Sequence, residues 1–261
     1  MAEERKNTVT VDGVRAIEMR YRAIWSADEK LPAFYQSSIR LNSPDMGVLL
    51  PEQFLPALEA DDKGISVFKL ALLQTIRSAD KFTERELDFD WVSVFIPHRL
   101  LKRSDCVKTV RDFTGMLGVL PKQICFELPY SVMDERDSGC CDAVKQLRKA
   151  GYHTMLTGVD GEHLPLFRLA ELEAEYIAFS EKVTARLGES GKADSCIESL
   201  MSFVSDIGSE PIASGVSSAE TADALNELGC SYFIGTENGE FSGKFAADRF
   251  IRRKTASADE P

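Results

Sequence analysis

The sequence predicts an α/β protein: a modified (β/α)8 barrel that opens with an antiparallel hairpin. Three observations predict it. Short apolar runs recur at intervals of roughly 20 to 35 residues, as βα units do. Amphipathic stretches closed by glycine lie between them, the mark of helices covering a parallel sheet. The first two runs differ. Only the polar stretch Ser26–Pro32 (SADEKLP) joins them, which reads as a hairpin.

The hairpin comprises Glu18–Trp25 (EMRYRAIW) and Ala33–Leu41 (AFYQSSIRL). The later strands are Trp91–Ile96, Gln123–Leu128, Tyr152–Thr157, Glu175–Phe179, Pro211–Ser214 and Ser231–Gly235. Periodicity alone does not separate such runs from buried helix segments, so the flanking signals decide. Val107, Val110, Phe113 and Leu117 form a stripe that stops at Gly118, and Val144, Leu147 and Ala150 stop at Gly151. Ile197, Leu200, Met201, Val204 and Ile207 repeat the pattern before Gly208. Ser217–Glu220 fits a capping box ahead of Ala222, Leu225 and Leu228. Residues 1–15 read as a mobile segment, 16–250 as one barrel domain, and 251–261 as a disordered tail.

Bulk properties narrow the function. The 261 residues suit one large barrel, and 44% hydrophobic content gives it a sizeable core. A formal net charge of −11 argues against nucleic acid or an anionic membrane as the main partner. No apolar run approaches the roughly 20 residues of a membrane span, and the polar start lacks a signal-peptide core. The six cysteines show no metal-binding spacing. They read as reduced, buried thiols in a cytoplasmic protein. Adjacent Cys140 and Cys141 read as helix-start packing. His98, His153 and His163 stand beside no recognisable nucleophile and read as structural or surface residues.

An ordered series of motifs goes further. Tyr21–Ile24 (YRAI), Tyr35–Leu41 (YQSSIRL), Pro51–Glu59 (PEQFLPALE) followed by Gly64, Ile124–Leu128 (ICFEL), Leu147–Gly151, Ile212–Ser217 (IASGVS) and Leu228–Cys230 follow one another in order. The chain from Tyr21 to Phe250 resembles in them the EAL domain, a bacterial module that hydrolyses cyclic di-GMP. The resemblance implies a (β/α)8 barrel of EAL type, with a site at the strand ends where two divalent cations clamp a phosphodiester. It also allows a homodimer through helices near that face.

The chemistry has been replaced at nearly every position the resemblance assigns. The glutamate of the E-A-L motif becomes Gln36, and the third-strand asparagine falls at Phe95. The paired aspartates fall at Thr157 and Gly158, and the lysine at Ala178. Two glutamates fall at Ser214 and Ser217, and a late glutamine at Ile234. Only Glu127 remains as a carboxylate ligand, and one carboxylate does not hold two hard cations. Asp160 and Glu162 lie just past the lost aspartates as candidate replacements. Arg40 matches the family's phosphate-contacting arginine and Glu59 a glutamate near the guanine base. Arg40 has a second reading, as a brace of the barrel mouth paired with Glu127 or another acid. Phe95 either plugs the lost metal cavity or stacks on a base.

The expectation is therefore a barrel with no catalytic residue, metal or cofactor. Its pocket is vestigial, built from Arg40, Glu59, Glu127, Gln36 and Phe95. It acts in bacterial signalling through an unidentified protein partner. The alternatives are a non-hydrolysing cyclic di-GMP receptor and, last, an active phosphodiesterase.

Overall fold

A computed structural model describes residues 10–11, 14–15, 17–43, 45–51, 53–54, 56, 63–84, 89–134, 139–162 and 164–235. The eight barrel strands are β1 (Ile17–Ser26), β2 (Leu31–Ser43), β3 (Val92–Phe95), β4 (Ile124–Leu128), β5 (His153–Val159), β6 (Tyr176–Phe179), β7 (Glu210–Val216) and β8 (Tyr232–Gly235). Neighbours from β2 to β8 pair parallel in chain order. β1 pairs antiparallel with both β2 and β8 and closes the ring. The predicted hairpin is thus also the seam of the barrel. At the end away from its turn, β2 is extended by Gly47–Leu49, which pairs antiparallel with Leu41–Ser43.

Among the described residues, six helices of seven residues or more cover the outside: α1 (Lys63–Glu84), α2 (Cys106–Leu117), α3 (Gly139–Lys149), α4 (Leu166–Leu172), α5 (Gly191–Asp206) and α6 (Ala219–Glu227). α2, α3, α5 and α6 lie on the predicted stripes. α2 ends at Gly118, whose φ of 71° is a left-handed cap that a side chain resists. The capping serine of α6 is Ser218, not Ser217; its hydroxyl accepts from the Thr221 amide at 3.2 Å. α1 and α4 were not marked from the sequence. α1 buries Ile65, Phe68, Leu72, Ile76 and Ala79 at helical spacing. α4 has only seven residues, too few to display a period.

Strand alternation divides the apolar residues into two cores. The outer core lies between strands and helices and includes Trp25, Tyr35, Ile39, Phe68, Phe126, Phe179 and Met201. The inner core fills the barrel and includes Ile24, Phe34, Trp91, Cys125, Met155, Tyr176, Ala178, Ile212 and Ile234. Five cysteines are buried as expected, while Cys196 on α5 is exposed. Cys140 and Cys141 occupy the first turn of α3. The two ends predicted as mobile lie mainly outside the described residues. Within the first, Thr10–Val11 pairs with Val14–Arg15.

Candidate functional site

The barrel interior is layered from foot to mouth. Aromatic rings close the foot. Phe34 stacks on Trp91 at 4.1 Å, and Tyr176 and Tyr232 pack around them. His153 joins this layer and shares a 2.8 Å hydrogen bond with Glu175. Above it, Ile24, Met155, Ala178, Ile212 and Ile234 form a fully apolar floor. Polar side chains begin only one strand step higher.

That step carries a connected network. Gln36 faces Arg22 across the β1–β2 pair. Arg22 Nε donates to Gln36 Oε1 at 2.7 Å, and Gln36 Nε2 donates to Glu127 Oε2 at 2.9 Å. Ser93 Oγ donates to the other Glu127 oxygen and accepts from the Ser37 amide at 3.2 Å. Enclosure by protein pushes the Glu127 carboxyl above the usual carboxylate range. The Ser93 and Gln36 hydrogen bonds and the Arg22 charge pull it back.

Glu127 also floors a cavity of about 660 Å³ at the strand ends of β3, β4 and β5. Phe95, His98, Arg99, Lys102, Ser131 and Thr157 line its walls. Phe95 leans on Phe68 of α1 at 6.2 Å and forms part of the wall, so it is no plug. Ile234 lies too deep to close the mouth. His98 bonds Ser131 at 3.1 Å on the rim.

The predicted site residues therefore divide. Gln36 and Glu127 meet directly, and Phe95 stands beside them. Arg40 sits two strand steps further out and forms no ion pair among the described residues, so it does not brace Glu127. Glu59 and His163 lie outside the described residues. Asp160 accepts from the Glu162 amide at 3.0 Å and pairs with Lys182 at 3.8 Å. It is thus engaged with its own loop and with the segment after β6. Arg22 and Ser93 were missed from the sequence. Both share inward parity with Gln36 and Glu127 on their strands, which was the available signal.

These residues do not fit a pair of divalent cations. At the strand ends Gln36, Phe95, Thr157, Ala178 and Ser214 present amide, hydroxyl and hydrocarbon groups where a pair of divalent cations needs several anionic oxygens. Both oxygens of Glu127 are already hydrogen-bonded. Among the described residues no three histidine, cysteine, aspartate or glutamate side chains converge.

The sequence pattern of the EAL domain matches residues 13–237. An uncharacterized protein of Azorhizobium caulinodans is 18% identical over 219 residues, covering 82% of this chain and 30% of the relative. The chain thus spans under a third of that relative's length. Among solved structures, the EAL enzyme Bd1971, bound to cAMP and cyclic di-GMP, superposes with a TM-score of 0.78 at 19% identity. The superposition covers 91% of this chain and 64% of that one. The PaMucR phosphodiesterase in complex with cyclic di-GMP gives 0.74 at 17% identity, covering 84% and 89%. At such identities the likeness establishes the fold.

Proposed function

Because this chain belongs to the EAL domain family, we propose that it is a signalling domain that does not hydrolyse cyclic di-GMP and acts through contacts with a protein partner. One observation carries the loss of catalysis: the donor set at the strand ends. A phosphodiester cleaved with metal help needs cations to generate hydroxide and to hold the leaving oxygen. Here the single carboxylate of the network is bonded to Gln36 and Ser93. Ala178 and Ile234 bring only hydrocarbon. The test is incubation with cyclic di-GMP and Mg²⁺ or Mn²⁺, followed by chromatography. The expected result is no linear product; turnover that disappears in Glu127→Ala would reverse the reading.

The open mouth favours a second reading, a non-hydrolysing cyclic di-GMP receptor. The cavity of about 660 Å³ is not closed by Phe95 or Ile234, and Arg99 and Lys102 line it. Structures of Bd1971 and PaMucR hold cyclic di-GMP. In this reading the bound nucleotide sets whether the partner is engaged. Calorimetric titration with cyclic di-GMP decides between the two; heat at micromolar affinity selects the receptor. A homodimer is a further contact of this kind, tested by light scattering. Among the described residues no helix is long and apolar enough to cross a membrane. A cytoplasmic place agrees with the five buried, unbridged thiols.

A further inference from the structure

We infer that the uncovered face of the sheet at the open end of the hairpin is the docking surface for an acidic amphipathic helix of a protein partner. The Gly47–Leu49 strand, the end of β2 and the start of β1 form that face. The inference rests on the reading that this domain acts through a protein partner, and it names the surface and the partner's chemistry.

The sheet stands clear of the ring. β3 pairs with β2 at Tyr35 and ends at Phe95, level with Ser38. Residues 40–43 of β2 run beyond it, between the start of β1 and the Gly47–Leu49 strand. One face is covered, because Ile17, Met19, Leu41 and Leu49 pack on the outer core. Facing residues of an antiparallel pair point the same way. The other face therefore carries Glu18, Arg20, Ser38, Arg40, Asn42 and Val48. Leu50, two residues past Val48, continues its row.

That face is apolar where water should make it polar. A strand with one wet face alternates apolar and polar residues. The run GVLL at residues 47–50 does not alternate. Leu49 points to the core, yet Val48 and Leu50 on the other side are also apolar, as is Met46 in the turn before them. Val48, Leu50 and Met46 are 50%, 45% and 67% exposed. Continuous apolar runs belong to strands covered on both faces. This strand is built for a cover that the described residues do not supply.

Shape and charge select the cover. Three strands about 4.8 Å apart make a face about 10 Å wide, the width of one helix. An added strand fits the edge less well. Gln53 Oε1 already takes the Leu50 amide at 2.8 Å, Ser43 Oγ takes the Met46 amide at 3.3 Å, and Gly47 turns the edge with φ of 72°. The apolar side chains lie on the outer strand, and Arg20 and Arg40 lie on the inner two, with Glu18 the one acid among these face residues. Neither arginine forms an ion pair with a described residue. In a chain of net charge −11 this local positive excess selects and steers an acidic segment. A second copy fits poorly, since a two-fold contact sets the same arginines against each other. A helix whose apolar stripe covers Met46, Val48 and Leu50 and whose acidic flank covers Arg20 and Arg40 satisfies both halves.

The probe is a synthetic helical peptide of about 18 residues with a leucine stripe flanked by glutamates. Its twin carries lysines in their place. Each is titrated by fluorescence anisotropy against the full chain, Val48→Asp and Arg20→Glu, with folding checked by near-UV circular dichroism. The expected result is micromolar binding of the glutamate peptide that weakens about tenfold or more in each variant and falls with salt. Equal affinity in all three proteins, preference for the lysine twin, or no binding overturns the docking face. Light scattering that shows the chain dimerising through Val48 makes a second copy the occupant and also overturns it. Cosedimentation with phosphatidylserine vesicles that Val48→Asp abolishes makes the occupant a membrane and overturns it too. Affinity capture from a bacterial lysate separates this inference from the broader reading. A partner retained equally by wild type and Val48→Asp overturns the face and leaves the partner reading intact. No retained partner and no peptide binding overturn both.

Discussion

Glu127 shows how one side chain is redirected by its neighbours. Its carboxyl lies among protein groups, bonded by an amide and a hydroxyl, so it binds its proton more tightly folded than unfolded. A raised carboxyl favours the folded state when protonated. That contribution is therefore present at low pH and is lost as pH rises through the raised value. We expect this contribution to lower the melting temperature of the wild type as pH rises above the ordinary carboxylate range. In Glu127→Gln that part of the slope should vanish; parallel slopes by scanning calorimetry would disprove it. Arg22 and Ser93 were missed at this scale for a physical reason. The motif series identifies positions one at a time, whereas a hydrogen-bond network depends on which positions share a face. Parity on β1 and β3 would have exposed both residues.

Elements carry the site by where they bend. β7 shifts register between Ser214 and Val216, and Gly215 makes that bulge with φ of 79°. A Cβ there would stand 2.7 Å from Glu181 Cγ. Gly215→Ala is expected to lose about 1–3 kcal/mol through backbone strain alone, measured by denaturant unfolding. A loss below a few tenths would mean that the strand relaxes. The bulge also explains which elements the sequence made legible. Strands and stripes ended by turn residues were visible because local chemistry ends them. Two adjacent serines offer the same capping chemistry, and the structure uses Ser218, whose hydroxyl accepts from Thr221, in place of Ser217. α4 escaped because seven residues barely complete two turns.

At the scale of the molecule the two cores share one wall of strands. Trp25 sits in the outer core and Trp91 in the inner one. If the ring unfolds as a unit, each tryptophan alone should report the same denaturant midpoint. Trp25→Phe and Trp91→Phe variants followed by fluorescence test this, after correction for each variant's own stability. Two separated midpoints would show that the cores melt independently. The seam has a further consequence for how the chain is made. Of the barrel strands, β1 is made before the others and pairs with β2 as soon as that strand follows, but its other edge waits for β8, the last described strand. Vectorial synthesis therefore leaves an unpaired strand edge beside Arg22 and Gln36 until nearly the whole barrel exists. The hairpin that later lines the mouth is the segment a nascent chain must keep from pairing with a neighbour. The exposed arginines along it supply charge that discourages such pairing during the delay.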